Sequence, residues 1–300
     1  MVKYRPFGAA ATPGHVTIDR TAKYTVTICA SVSFVVLGAI AIFTLREGLP
    51  AFEEIGLFNF LLGREWRPGQ DLFGILPMTI GSLLVTAGAM ILAIPIGIAC
   101  AILLAEVAPY RVRQFLRPAV ELLVGIPSVV YGLVGMMLIV PLVRQVGGSG
   151  FSILAAAIVL MAMVLPTIIS ISEDSIRAVP TKYKEASLAM GATQWQTIRH
   201  VLLPAARSGI VAGIVLGMGR AIGETMAMIM VIGNAVVIPD SLLSAGRTLT
   251  GNIAVEIGYA AGIHRNALFA TGIVLLLVIL ILNSVAAVAL RRGIRRQDVS

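Results

Sequence analysis

An uncharged segment decides the fold class of this chain, and it reads GILPMTIGSLLVTAGAMILAIPIGIACAILLA (residues 74–105). It contains no Asp, Glu, Lys or Arg. About 20 apolar residues are enough for a helix to cross the hydrocarbon core of a bilayer. Because lipid offers no partner to a backbone amide, such a segment can cross only as a helix. The segment therefore predicts a transmembrane helix.

Further segments of the same kind fill much of the chain. The uncharged runs are Tyr24–Leu45, Leu122–Val143, Gln145–Ser172 and Asn266–Leu290, and residues 209–233 form a sixth apolar candidate that carries two charges. The 300 residues are 58% hydrophobic and 13% charged, whereas about a quarter of the residues in soluble domains are charged. We predict an all-α integral membrane protein with six transmembrane helices.

The basic residues predict the orientation of the helices. The net charge is +8, and most Lys and Arg residues lie before the first span, after the second, after the fourth and at the C-terminus. Since cytoplasmic loops carry the excess of Lys and Arg, both termini are expected on the cytoplasmic side. The protein is expected in the plasma (inner) membrane. The topology then explains the excess positive charge, which does not indicate nucleic-acid binding. The basic side chains are either solvated or in contact with the headgroups of membrane lipids.

The predicted organisation has one large domain between two short tails. Residues 1–23 and 293–300 are expected to be cytoplasmic tails, and residues 24–292 the transmembrane domain, with a cytoplasmic loop at 173–207. On the external side, apolar residues recur in the second long loop and predict a short surface helix: Leu249, Ile253, Val255 and Ile257.

The cytoplasmic loop predicts two short helices joined by a glycine turn. Residues Thr181–Met190 are compatible with a helix that Gly191 can end in a left-handed turn. Thr193 can cap a second helix over Gln194–Leu203. This element has apolar residues that it cannot bury alone, namely Leu188, Met190, Trp195 and Ile198. It is either a helical hairpin on the bilayer surface or a docking site for a cytoplasmic partner.

Two charges lie within the apolar segment GIVAGIVLGMGRAIGETMAMIMVIG (residues 209–233). If residues 209–228 form one helix, Arg220 and Glu224 share an arc of about 100° with glycines at GxxxG spacing. Both charges are then expected to face protein or a water-filled path, four residues apart and able to pair. They are either an ion pair that fixes the helix register or an anion site, because a guanidinium matches the oxygens of phosphate.

A second candidate lies in the segment GIPSVVYG (residues 125–132). Pro127 removes one backbone hydrogen bond, so the segment is either an ordinary kink or an opening that exposes the hydroxyl groups of Ser128 and Tyr131 to an anion. The predicted substrate path therefore comprises Arg220, Glu224, Ser128 and Tyr131.

Catalytic signatures are missing from the sequence. It has no G-x-x-x-x-G-K-[ST] phosphate loop, no His/Cys cluster with metal-ligand spacing and no nucleophile–base constellation. We therefore expect no enzyme, no cofactor and no metal.

The cytoplasmic loop resembles a known motif. Glu185-Ala186-Ser187, Gly191 and Leu203-Pro204 are similar to the EAA–Gly–LP motif of ATP-binding-cassette importer permeases. Ser187 stands where that family usually has Ala, and Val201 where it often has Ile. The resemblance implies the six-helix type I importer (MetI-like) fold. It also implies that Glu185, Ala186 and Gly191 belong to a coupling helix that docks into a groove of the ATPase subunit.

Three further segments resemble the permeases of phosphate uptake systems, PstC type: GIPSVVYGLVG (125–135), GRAIGETMAMIMVIGN (219–234) and WRPGQDLFGILPMTIGSLL (66–84). The resemblance implies translocation of inorganic phosphate, together with a PstA-type second permease, two ATP-binding cassette subunits and an extracytoplasmic phosphate-binding protein. The alternatives are a permease for another oxyanion (molybdate, sulfate or phosphonate) and a self-contained anion channel or carrier, which would not need a docking loop.

Overall fold

The computed structural model describes residues 13–295, with side chains described for residues 22–286 and Val288. Residues 1–12 and 296–300, which belong to the two predicted tails, lie outside the described residues. The chain forms two compact units, one ending at Glu47 and the other beginning at Gly48.

The first unit contains helix α1 (Pro13–Ile55) as far as Glu47, and the last residues of this helix, from Gly48, belong to the second unit. Hydroxyl groups along it bond to the carbonyl four residues earlier, as Thr27 does to Lys23 (2.8 Å) and Ser33 to Cys29 (2.9 Å). A hydroxyl satisfied within its own helix needs no other partner, so these residues are compatible with an apolar surrounding. The predicted first span is confirmed as a helix.

The second unit contains the remaining helices. The first of these are α2 (Leu57–Leu62), α3 (Leu76–Ile102), α4 (Tyr110–Gly125), α5 (Ser128–Val134), α6 (Val140–Val146) and α7 (Ile153–Arg177). They are followed by α8 (Thr181–Ala189), α9 (Gln194–Thr197), α10 (Leu203–Gly223), α11 (Met226–Val231), α12 (Leu249–Glu256) and α13 (Gly262–Arg295). A small antiparallel hairpin pairs β1 (Trp66–Arg67) with β2 (Leu72–Phe73).

Single π-helical turns extend three of these helices. They cover Leu103–Val107 after α3, Gly135–Ile139 between α5 and α6, and Ile198–Leu202 between α9 and α10. With these turns, the described part of the chain has six helical segments long and apolar enough to cross a membrane, as predicted.

The core of the second unit lies where α3, α7 and α10 pack together. Ile168 of α7 is fully buried between Gly97 of α3 and Gly217 of α10. A Cβ atom at either glycine would come within 3 Å of the Ile168 side chain. The glycines of α10 therefore allow close helix packing, as the GxxxG spacing predicted.

One end of this unit, which we call the hairpin end, is formed by β1, β2 and α12. The prediction of a short helix in this loop is confirmed over Leu249–Glu256, with one face exposed at Val255 and the other buried at Leu249 and Asn252. The preceding loop, residues 232–248, folds back on the bundle and bonds to the start of α7, where the Ile153 amide donates to Ser244 and the Leu154 amide to Leu242. These bonds satisfy amides that a helix start leaves unpaired.

The opposite end, the α8 end, is formed by α8, α9 and the adjoining ends of α3, α4 and α7. Gly191 has φ +85°, the left-handed conformation expected after α8. Thr193 and Gln196 form a reciprocal capping box at the start of α9. The predicted pair of short helices is therefore confirmed, with a π-helical turn inserted before α10.

Candidate functional site

Two helices are interrupted next to each other in the second unit. The chain is extended at Ile126 and Pro127 between α4 and α5, and at Glu224 between α10 and α11. A Cβ atom at Gly132 of α5 would lie 2.9 Å from the Cα atom of Ala227 in α11. The segments beyond the two breaks therefore pack directly on each other, and the chain at residue 127 is broken rather than kinked.

Arg220 lies one turn before the second break. It is half-buried, and its Nη1 donates to the Thr167 hydroxyl at 3.5 Å, the outer limit of a hydrogen bond. Thr167 is close to the midpoint of α7, which places the guanidinium about halfway along the bundle. A guanidinium carries five N–H donors, and the described residues bind it through this long contact alone.

Glu224 does not pair with Arg220, which corrects the prediction. No ion pair within 4.0 Å joins these two residues, both of which have described side chains. Because Glu224 has ψ 130°, the helical spacing of four residues between the two charges is lost. Its carboxylate instead accepts from the Ala227 amide (3.2 Å), and its carbonyl accepts from the Thr250 hydroxyl (2.9 Å). The bond from α12 replaces a helical one and stabilises the break.

Glu224 lines a small cavity together with hydroxyl residues that the sequence had not indicated. Ser82 and Thr86 of α3 and Thr248 at the start of α12 face the same cavity. Ser82 and Thr86 are four residues apart within an apolar span, so they share one helix face. That spacing is the signal by which they could have been found.

Ser128 and Tyr131 lie at the first break, as predicted. Ser128 is the first residue of α5. The Tyr131 hydroxyl donates to the Leu123 carbonyl (2.9 Å) and so links α5 to α4 across the break. Tyr131 is also within electrostatic range of Arg220. The structure thus brings Tyr131 near Arg220, but the phenolic proton is already used in a protein hydrogen bond.

The predicted coupling residues lie at the α8 end. Glu185, Ala186 and Gly191 are exposed, as are the side chains of Leu188, Met190 and Trp195 nearby. Ile198 differs from the expectation, since the π-helical turn buries it. The hydroxyl groups of Ser187 and Thr197 are 3.0 Å apart and join the two helices. The result is an ordered surface with exposed apolar side chains.

A charge network holds α4 against α7 at the same end. Arg117 of α4 contacts Glu121 (3.1 Å), Asp174 (3.0 Å) and Glu173 (3.7 Å). The hydrogen bond that Arg117 donates to Glu121 raises the pKa of the Arg117 guanidinium above its usual value. Burial opposes this rise, and the charges of Glu173 and Asp174 add to it. Glu121 itself lies one turn beyond Arg117 on the same helix and is exposed.

Comparison with known proteins agrees with this architecture. Residues 93–296 match the family model described as "Binding-protein-dependent transport system inner membrane component". The chain is 43% identical over 261 residues to the probable ABC transporter permease protein YqgH of Bacillus subtilis, covering 84% of each chain. It is 32% identical over 299 residues to the phosphate transport system permease protein PstC of Pasteurella multocida, covering 93% of each.

Solved structures show the same fold. An inward-facing conformation of the MetNI methionine ABC transporter aligns with a TM-score of 0.52 at 26% identity, covering 72% of this chain and 92% of that one. A bacterial ABC transporter involved in the import of the acidic polysaccharide alginate aligns with a TM-score of 0.66 at 16% identity, covering 94% and 99%. With its six apolar helices, the chain belongs to the family of binding-protein-dependent transport system inner membrane components and has the fold of an ATP-binding-cassette importer permease.

Proposed function

We propose that this chain is the permease subunit of an ATP-driven importer and that it translocates inorganic phosphate. The observation that carries the proposal is Arg220, a half-buried guanidinium halfway along the bundle with a single long contact among the described residues. A buried charge of this kind within a span indicates a functional site. Relatives named as phosphate transport permeases, 32% and 34% identical over most of their length, support phosphate as the anion.

Arg220 would bind phosphate through charge and geometry. The planar guanidinium presents a fork of donors that matches two oxygens of a tetrahedral oxyanion. Because Glu224 is turned toward the Ala227 amide, Arg220 keeps its donors for the substrate. A translocation site also has to release its ligand, and one arginine on a broken helix binds an anion less tightly than an enclosed cage of donors.

Glu224 would favour phosphate over a fully ionised oxyanion. Phosphate near neutral pH still carries at least one proton, so it can donate a hydrogen bond to a carboxylate, whereas sulfate and molybdate have no proton to donate and would be repelled. Glu224 lies one turn beyond Arg220 and faces a cavity lined by the hydroxyl residues Ser82 and Thr86. In this proposal Ser128 offers a further hydroxyl at the start of α5, and Tyr131 positions the break.

The α8 end is proposed to be cytoplasmic, as are both termini. Glu185, Ala186 and Gly191 would dock with one of two ATP-binding cassette subunits, and a PstA-type permease would complete the path. The phosphate-binding protein would approach the hairpin end, where α2 and β2 line an open groove of about 1040 Å³. The chain itself then acts as a transport subunit without an ATPase site.

Reporter fusions at Thr193 and Gly258 test the orientation. With a reporter enzyme that is active only outside the cytoplasm, we expect activity for the fusion at Gly258 and none for the fusion at Thr193.

Reconstitution of the complete complex in proteoliposomes tests the proposed substrate. Uptake of labelled phosphate should require ATP and the binding protein, and excess sulfate or molybdate should not compete. If sulfate or molybdate inhibited phosphate uptake when present at the same concentration as phosphate, that oxyanion would be a substrate and the assignment of phosphate would be wrong. Phosphate flux through the isolated chain without ATP would show a channel or carrier instead.

A further inference from the structure

Glu106, at the end of α3, holds both helices of the coupling loop. Its carboxylate pairs with the Lys184 ammonium group of α8 at 2.5 Å, and its backbone carbonyl accepts from the Gln194 side chain of α9 at 3.2 Å. The Glu106 side chain is 11% exposed, so this pair is screened by solvent less than a surface pair. Lys184 precedes the Gly191 turn and Gln194 follows it. Glu106 therefore binds the coupling loop on both sides of that turn.

The π-helical turn that carries Glu106 is also attached to its neighbours. A π-helical turn interrupts the regular hydrogen bonding of a helix, and here Arg113 of α4 donates to the Leu104 and Ala105 carbonyls at 2.7 and 2.9 Å. Arg177 of α7 donates to the Leu104 carbonyl at 3.4 Å. These contacts anchor the end of α3 to other spans, while the ion pair with Lys184 connects it to the coupling helix.

The same α3 helix reaches the cavity at Glu224. Thr86 lies 20 residues before Glu106, which corresponds to about 30 Å along a helix. Ser82 and Thr86 line the Glu224 cavity, and the Ser82 hydroxyl accepts from the Leu249 amide at 2.9 Å. A helix resists compression along its axis, so α3, with Pro95 inside it, offers a continuous connection from the turn that carries Glu106 to Ser82 and Thr86.

We propose that Glu106 is a positioning residue that transmits movement of the coupling helix to α3 and thereby to the Glu224 cavity. The proposal rests on the docking of an ATPase at α8, which belongs to the proposed function, but not on phosphate as the substrate. A residue that merely kept the loop folded would affect docking of the ATPase, whereas a transmitting residue affects what ATP hydrolysis achieves at the cavity.

Glu106→Gln tests this in the complete complex, reconstituted with its ATPase and binding protein. The amide keeps the size of the side chain and removes the charge that binds Lys184. We expect the number of phosphate ions imported per ATP hydrolysed to fall about threefold to thirtyfold, with normal co-purification of the ATPase. Exchange of the two charges, Glu106→Lys with Lys184→Glu, should restore much of the ratio. Glu121→Gln is the control, because Glu121 is an exposed partner of Arg117 within the same helix α4.

A second measurement does not need the substrate. In a chain without cysteines (Cys29→Ala, Cys100→Ala), Thr86→Cys reports on the cavity through its rate of modification by a small thiol reagent. Trapping the ATPase with ATP and vanadate should change this rate when Glu106 is present and leave it unchanged in Glu106→Gln. Failure of the proposed function shows instead as a parent complex that imports no phosphate while its labelling still responds to nucleotide.

Two results would overturn the proposal. One is Glu106→Gln with the parent's import ratio and the parent's nucleotide-dependent labelling. The other is a decrease in the import ratio and in the nucleotide-dependent labelling that is proportional to the loss of bound ATPase. Glu106 would then only shape the docking surface.

Discussion

Glu256 is a buried charged residue and Arg220 a half-buried one, and their surroundings differ. Glu256 is 5% exposed and binds the Trp66 indole (2.8 Å), the Arg247 guanidinium (2.7 Å) and the His264 ring (2.9 Å). Among the residues whose side chains are described, Arg220 has one polar contact, at 3.5 Å. The difference separates two uses of a buried charge. A carboxylate with its acceptor sites occupied holds elements together, whereas a guanidinium with free donors can receive a ligand.

The position of Glu256 in the chain supports this distinction. Its partners come from the hairpin, from the loop before α12 and from the start of α13, and Trp66 is 190 residues away in the sequence. Arg247 also donates to the Asn252 side chain and the Asn234 carbonyl. Glu256 is therefore the centre of the frame at the hairpin end, and the four predictions that follow test whether the contrast with Arg220 is real.

The largest effect is expected for Glu256→Ala. The substitution leaves Arg247 without its counter-charge in a buried position, which costs about 3–5 kcal/mol of stability. Thermal unfolding of the purified chain in detergent, together with its amount in the membrane, measures this loss. Glu53→Ala, at an exposed carboxylate, is the matched control. A melting temperature equal to that of the control would mean that Glu256 is not a structural charge.

Arg220→Gln should act on transport instead. Loss of a charged donor pair to the anion costs about 1.5–3 kcal/mol, which corresponds to a fall in phosphate uptake of about 10- to 100-fold. The amount of protein in the membrane should stay the same, and Arg207→Gln on the same helix should retain uptake. If uptake falls only in step with protein, and the exchanged pair Arg220→Glu with Glu224→Arg restores both, the two residues are a structural clamp.

Trp66→Phe removes one partner of Glu256 and keeps the ring. We expect a loss of about 1.5 kcal/mol, at the low end for a hydrogen bond to a charged group, because His264 donates to the same carboxylate oxygen. Trp195→Phe, at an exposed tryptophan of the α8 end, supplies the comparison. Equal melting temperatures for the two variants would show that the indole contributes packing rather than a hydrogen bond.

The smallest effect is expected for Thr167→Val, which removes the hydrogen-bond partner that Arg220 has in the described part of the chain. Since the bond is long, uptake should change by less than about twofold. Loss of uptake as severe as in Arg220→Gln would show that Thr167 positions the guanidinium. Arg220 would then be a charge held in place by a protein partner, as Glu256 is, and the contrast between the two residues would fail.

The sequence predicts much of this structure because some signals are local. Uncharged runs identify five of the six spans, and Gly191 and Thr193 mark the end of α8 and the start of α9. The break at Glu224 could not be predicted in this way, because residues 209–228 are compatible with one helix and the bond that stabilises the break comes from Thr250. The burial of α12 and the Thr167 contact of Arg220 likewise depend on residues distant in the sequence.

The proposed site shows the same limit. Arg220 and Tyr131 were identified from their residue types within apolar segments, and the structure places them near each other. Of the two alternatives for Arg220 and Glu224, the ion pair is absent, because it required a regular helix where the chain is extended. The spacing of Ser82 and Thr86 places both on one face of α3, but the sequence does not show that this face meets Glu224.

The contact between Gly132 and Ala227 has a consequence for how related chains can diverge. Any side chain at position 132 would meet the Ala227 backbone at 2.9 Å and the Met230 sulfur at 2.7 Å. The methionine can move aside, but the backbone cannot do so without separating α5 from α11. Among homologues, position 132 should therefore hold glycine wherever the two breaks are kept side by side. Where another residue replaces this glycine, compensating changes should occur around position 227, so that positions 132 and 227 vary together.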